Sequence, residues 1–361
     1  MTRRDSISPR QFVAAVFVSA LSLLIRRFPR ALAARAGRSA VLAVPVSVLP
    51  MLALLAAIWL LARRRSIENG IPDLLSGLLG RTAARAMIGV YGLWFLFYAG
   101  FLLRSGAERF LTTVYPGAQP WLFVCLTALL CAPAAGRLTP LARAAMIIRP
   151  LMLGLILCVA VLTAKDLDPA LLLPLRPSDP PGVWISALEI ANLLSVAVFF
   201  GFAGNRLERP LHLRDWAPWL AALLGIIALM TAQCVGMFGQ ELTAKMRYPY
   251  FMLVRDLTVL GALERLEPVV ITLWVFSDFI LISMLLHLAA GNLRAAVGAR
   301  RAGRRAAPLC AAAAAVLALL LPGAMGAQEV LSDKTVPLLC ALFAFGPLPV
   351  LLLVSALRKK Q

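Results

Sequence analysis

Three ionisable side chains stand inside long apolar runs, and they set the chemical question. Asp278 lies in Leu273-Trp-Val-Phe-Ser-Asp-Phe-Ile-Leu-Ile-Ser283, beside Ser277 and one helical turn after Trp274. Glu189 sits one turn before Asn192, and Arg149 precedes Pro150. A charge stranded at the centre of a bilayer costs about 2.5 to 3.5 kcal/mol or more, so each needs a partner or a task. A buried carboxylate can carry a proton or hold a ligand's ammonium group. For Asp278 the alternative is a structural hydrogen bond to a neighbouring helix; for Glu189 it is a charge near a helix start. Arg149, if deep, must face the bundle interior and pair with an acid, with Asp278 and Glu189 as candidates. Otherwise it snorkels to the surface.

Other side chains could line a binding site. Phe199-Phe-Gly-Phe-Ala-Gly204 places Gly201 and Gly204 where backbone carbonyls could be exposed to a ligand between Phe199 and Phe202. The same pattern serves close helix packing through small residues. Ser19 and Ser22 supply hydroxyls on the first apolar run. Tyr91, Trp94 and Tyr98 share one helical face, as packing, interfacial anchors or a ligand wall. Arg104 and Glu108 are spaced for an i,i+4 pair. Glu264, Arg265 and Glu267 form a charge cluster suited to a helix start or a partner contact. The six cysteines fall in apolar runs without CxxC or Cys/His spacing, and there are two histidines, His212 and His287. These give no basis for a metal or other cofactor. No nucleophile, base and water path come together, which argues against an enzyme.

These residues require a membrane to position them. The chain of 361 residues is 61% hydrophobic and 15% charged, against roughly 45 to 50% apolar in globular domains. Apolar runs read as ten helical spans near 11–36 (interrupted), 40–62, 86–107, 119–135, 141–164, 183–204, 216–239, 267–290, 306–322 and 335–356. Each approaches the roughly 20 residues that a bilayer requires. The chain is expected to be one polytopic, all-α domain over 1–361. A net charge of +19 falls in short loops, where Lys and Arg fix orientation and meet anionic lipid; with no soluble basic module, nucleic acid is excluded as a partner. The Lys and Arg bias places both termini in the cytoplasm. Arg26, Arg27, Arg30, Arg35 and Arg38 fall on the wrong side of that rule, and a broken first helix with its second half shallow in the outer leaflet would let them snorkel. The first run leads into basic sequence without a small-residue cleavage pattern, so no cleavable signal peptide is expected.

Arg247-Tyr-Pro-Tyr-Phe-Met-Leu-Val-Arg-Asp256, then Leu263-Glu-Arg-Leu-Glu267 and the run around Asp278, resemble the signature of the spore germination permease family. Ile7-Ser-Pro-Arg-Gln11, Phe28-Pro-Arg30, Gly37, Arg143, Pro150 and Leu172-Leu-Pro-Leu175 extend the resemblance along the chain. It implies an amino acid/polyamine/organocation transporter fold with two inverted five-helix repeats, about 11–164 and 183–356. Helices 1 and 6 would be broken near the midplane, where freed backbone groups meet a substrate. It further implies a B subunit of an endospore nutrient germinant receptor, in the inner membrane of the spore or cell, with a larger A subunit and a lipoprotein C subunit as partners. The first span departs from the pattern: Ser22 and Leu24 stand where relatives usually carry Gly-x-Gly, and Ala203 stands where they often carry Glu. A helix without those glycines is less easily unwound.

Two functions follow. One is a receptor subunit binding a small, amino acid-like nutrient at the bundle midplane, through Ser19, Ser22, Tyr98, Phe199, Gly201, Phe202, Gly204, Trp274, Ser277 and Asp278. Arg149, Glu189 and Asp278 would handle protons or pair charges. The alternative is a proton-coupled amino acid or small-solute permease. A third possibility, raised by the altered first span, is a structural subunit without a ligand pocket.

Overall fold

A computed structural model describes residues 6–64, 70–115, 117–173, 180–257, 267–298, 305–323 and 325–357. Seven helical stretches are long and apolar enough to cross a membrane. The first, Pro9–Leu61, has 53 residues, about 80 Å at the rise of a helix, far more than one crossing of about 30 Å. A 3-10 stretch, Gly37–Leu42, divides it into two spans. Two shorter apolar helices, Pro120–Ala134 and Ala306–Leu320, bring the described spans to ten, as the apolar runs predict. In order they are Pro9–Ala36, Ala43–Arg64, Arg81–Thr113, Pro120–Ala134, Leu138–Thr163, Pro180–Arg206, Leu213–Lys245, Glu267–Val297, Ala306–Leu320 and Gly326–Leu357, hereafter spans 1 to 10.

Span 1 is one continuous α-helix, not the broken helix that the resemblance implies. Its start is specified locally. Ser8 Oγ accepts from the Gln11 amide at 3.3 Å while Gln11 Oε1 accepts from the Ser8 amide at 3.0 Å, a capping box with Pro9 in the first turn. Ser22 and Leu24 hold the helical backbone where glycines would loosen it. Gly37 ends the helix at φ 55° and donates to the Ala33 carbonyl, a conformation that side chains with a Cβ disfavour.

Span 6 is interrupted, with its turn ahead of the glycines at 201 and 204. Pro180–Ala191 ends in a tight turn at Asn192 and Leu193, Leu194–Phe200 resumes, and Gly201–Arg206 winds as 3-10 helix. The turn keeps short-range hydrogen bonds, Leu193 N to Ile190 O at 3.1 Å and Ser195 N to Asn192 O at 3.0 Å. The interruption therefore tightens the backbone rather than opening it. Span 10 carries a π turn at Leu331–Thr335, between its first α-helical turns and the helix from Val336.

Span 1 lies against spans 5, 7 and 8, and span 8 packs along span 3. Leu21, Leu24, Phe95, Phe199 and Leu285 are among the buried core, whereas Leu129, Val161 and Leu320 point outward at 70%, 76% and 76% exposure. The outward-facing apolar side chains fit a solvent of lipid. The Pro-rich segment after span 5 forms the helix Pro169–Leu172 against span 7. After span 7 a short helix, Pro249–Arg255, follows Tyr248, and its side chains Tyr250, Phe251, Leu253 and Val254 are buried in the protein. Residue Ile7, in extended backbone, bridges to Leu207, tying the N-terminal segment to the loop after span 6.

Candidate functional site

Asp278 is where spans 1, 3 and 8 meet. Ser22 of span 1 donates its hydroxyl to Asp278 Oδ1, and Arg109 of span 3 donates to Oδ2. The Arg109 and Asp278 side chains are 5% and 13% exposed, so each charge is removed from solvent and is held chiefly by the other. The Arg109 guanidinium also lies 4.1 Å from the centroid of the Trp274 ring, where the ring face attracts a cation. Trp274 meets Tyr248 edge-on at 5.9 Å, and Ser277 closes back on the Trp274 carbonyl at 2.8 Å. Helical spacing explains the convergence: Trp274, Ser277 and Asp278 share a face at i, i+3 and i+4. Burying such a pair is compensated only by good geometry, and removing one member strands the other. Several polar atoms here are buried without a protein partner: Arg109 Nη1, Trp274 Nε1 and Ser19 Oγ.

Around this pair the ends of the helices carry further charge. Arg104 donates to Glu108 at 2.9 Å, the expected i,i+4 pair, and Arg247 reaches the second Glu108 oxygen at 3.5 Å. Arg26 of span 1 donates to Ser105 at 3.3 Å and lies 5.8 Å from the Phe101 ring centroid.

Glu189 belongs to a second cluster. Arg27 and Arg35 both pair with its Oε1, Arg27 at 2.8 Å. Arg27 also donates to the carbonyl of Asp333 at 2.7 Å in the π turn, and Arg30 meets Glu329 and Asp333 at 3.4 and 3.7 Å. Asn192 donates to the Pro337 carbonyl at 2.8 Å. Arg27, Arg30 and Arg35 thus do not extend from a shallow half-helix. They turn toward acids of spans 6 and 10, because an unbroken helix keeps Arg27, Arg30 and Arg35 within the bundle.

Other expected site residues lie apart from both clusters. Arg149 pairs with neither Asp278 nor Glu189; its guanidinium is 4.0 Å from the centroid of Trp219 in span 7, and both acids are taken by other arginines. Gly201 and Gly204 face the chain at Gly70 and Ile71 instead of a cavity. A Cβ on Gly70, whose φ is 93°, would come within 2.9 Å of the Gly201 carbonyl and 3.1 Å of Gly204 Cα. Of the two readings of those glycines, close packing is the one realised. Phe199 packs edge-on against Phe95 at 5.4 Å, and Phe202 meets Tyr91 at 4.5 Å. Trp94 stacks on Tyr98 and, at 4.6 Å, on Phe343. Tyr98, Phe199 and Phe202 are therefore members of one aromatic core linking spans 3, 6 and 10. Glu264 and Arg265 lie outside the described residues; Glu267 stands 3.9 Å from Arg255.

The sequence reading passed over Arg109, and took Arg27 and Arg35 for headgroup contacts where they are partners of Glu189.

A helical bundle with an interrupted sixth span and ion pairs buried between its spans is the architecture of a membrane transporter. A structure of a Na+-coupled sialic acid symporter, in a substrate-bound outward-open state, superposes with a TM-score of 0.63 at 13% identity, covering 97% of this chain and 79% of that one. At that identity the likeness establishes the fold. A family model described as spore germination protein matches residues 6–320, and the chain belongs to the spore germination permease family. No curated protein matches it.

Proposed function

We propose that this chain is the membrane subunit of a spore germinant receptor that binds a small nutrient of amino acid type among Ser22, Arg109, Trp274 and Asp278. The observation that carries the reading is the buried Arg109–Asp278 pair. Its two charges are the complements of a zwitterion: a ligand carboxylate would replace Asp278 at Arg109, and a ligand ammonium would replace Arg109 at Asp278. The unpartnered Arg109 Nη1, Trp274 Nε1 and Ser19 Oγ offer additional hydrogen-bonding capacity. Entry requires the pair to part, which couples occupancy to the relative positions of spans 1, 3 and 8. That movement is the signal passed to the receptor's A subunit and its lipoprotein C subunit. Arg27, Arg35 and Glu189 hold span 1 against span 6, so the clasp resists the same movement from the other side. Both termini are cytoplasmic in this reading, with the inner membrane of the spore as the site of action. The reading is tested by deleting the gene in its sporulating host: spores should lose the response to at least one nutrient, and unchanged germination with every amino acid and nucleoside tested would refute it.

The fold shared with a symporter favours a second reading, a proton-coupled permease in which Asp278 accepts the proton as Arg109 withdraws. Substrate-dependent proton flux in proteoliposomes, lost in Asp278→Asn, would establish it; absence of flux in a chain that binds substrate would leave the receptor reading.

A further inference from the structure

Arg26 stands beside the Arg109–Asp278 pair and brings a second positive charge to it. Ser22, which donates to Asp278, and Arg26 are one turn apart on span 1. Phe101, Ser105 and Arg109 follow one another at the same spacing on span 3, so each set shares one helical face. Arg26 Nη1 donates to Ser105 Oγ at 3.3 Å, and its guanidinium lies 5.8 Å from the Phe101 ring centroid. The pair lies over the next residue of span 3: a Cβ on Gly106 would stand 3.7 Å from both Arg109 Nη2 and Asp278 Oδ2. The two guanidiniums are near enough for their charges to repel.

Only one of the two is balanced. Arg26 has no carboxylate at ion-pair distance among the described residues; it meets a hydroxyl and a ring face, and its Nε is buried without an acceptor. Asp278 gives one oxygen to Ser22 and the other to Arg109. Glu108, the residue before Arg109, has its oxygens taken by Arg104 and Arg247. Two guanidiniums against one carboxylate leave a positive charge in surroundings of low dielectric, where an unpaired charge is costly. A neutral zwitterion that divides the Arg109–Asp278 pair brings one charge of each sign and leaves that excess in place. A ligand with a second carboxylate removes it, and a carboxylate matches the forked donors of a guanidinium.

We propose, resting on the reading of the Arg109–Asp278 pair as the nutrient site, that the ligand is an acidic amino acid, with one carboxylate on Arg109, the ammonium on Asp278 and the second carboxylate on Arg26. The site carries two positive charges and one negative, the inverse of the charges on such a ligand. Ser105 is then the partner that Arg26 gives up or shares when the ligand enters.

Isothermal titration of the full chain, purified in a neutral detergent, compares L-aspartate with L-asparagine and L-glutamate with L-glutamine. Each amide has nearly the shape of its acid without the second charge, so the ratio of affinities reads the second carboxylate alone. Wild type should bind at least one acid about tenfold or more tightly than its amide, the worth of a charged hydrogen bond. In Arg26→Gln that preference should fall to near unity, and in Arg109→Gln both the acid and its amide should weaken. Equal binding of acids and amides by the wild type, or a preference that survives in folded Arg26→Gln, overturns the assignment. Should Arg26→Gln fail to fold, Arg26→Met removes the same charge without a polar group to bury and decides by the same ratio. Neutral amino acids that bind through Arg109, with no advantage for the acids, would refute the acidic ligand and leave the zwitterion site standing. Absence of binding by any amino acid would refute both.

Discussion

At the scale of single residues, the chain resolves its intramembrane charges by pairing, and the pairs differ from the simplest expectation. Asp278→Asn leaves Arg109 buried with a weakened partner, and Arg109→Gln leaves Asp278 likewise. Each should destabilise the protein by about 3 to 5 kcal/mol, the cost of breaking a buried pair from one side. The double substitution should cost less than the two singles together, with a coupling of roughly 0.5 to 3 kcal/mol in a double-mutant cycle read by thermal unfolding. Additive effects would mean that the pair does not form. Asp278 and its neighbours Ser277 and Trp274 were legible in the sequence because a charge in an apolar run stands out. The identity of its partner was not, since Arg109 is far away in the chain and lies near a helix end, where an arginine has an ordinary solvated explanation. Arg149 misled for the opposite reason: its place inside an apolar run suggests an acid, whereas Trp219 meets it with an aromatic face.

At the scale of elements, local sequence decides which helices stay continuous. Span 1 is continuously helical, with Ser22 and Leu24 on its backbone where glycines would favour unwinding. Restoring glycine with Ser22→Gly and Leu24→Gly together should cost roughly 1 to 2 kcal/mol from helix propensity alone and more from the lost packing of Leu24. Hydrogen exchange should rise in amides near 20–28; unchanged exchange would show that tertiary contacts alone hold the helix. The meeting of Gly70 with Gly201 and Gly204 makes a second prediction. Gly70→Ala combines a strained φ with a contact inside 3 Å and should destabilise by at least about 1 to 2 kcal/mol, measured by thermal unfolding in detergent. Gly77→Ala, in the following helix with open space around it, should be neutral or slightly stabilising and serves as its control. The count of ten spans was readable from hydropathy, and the change of winding at Gly201–Arg206 from glycine placement, but the turn of span 6 lies earlier, at Asn192 and Leu193. The tight form of that turn was not readable, because it depends on hydrogen bonds at Asn192 and Leu193 that composition does not encode.

Over the whole molecule, charge is distributed with a purpose at each level. Span 1 is basic on a face that meets Glu189, Glu329 and Asp333, and the Arg109–Asp278 pair balances one acid against one base. In a cysteine-free background, a single cysteine at position 115, in the loop after span 3, should react with an impermeant thiol reagent from outside the cell. One at position 214, in the exposed start of span 7, should react only after permeabilisation. The reverse pattern would invert the topology. The central claim is that a small zwitterion divides the Arg109–Asp278 pair. It is tested most directly by isothermal titration of the purified chain, wild type, Arg109→Gln and Asp278→Asn, against the L-amino acids, with chain folding verified by circular dichroism. The account predicts binding of at least one amino acid to the wild type, weakened tenfold or more in both folded variants. Binding that survives both substitutions undiminished would contradict it.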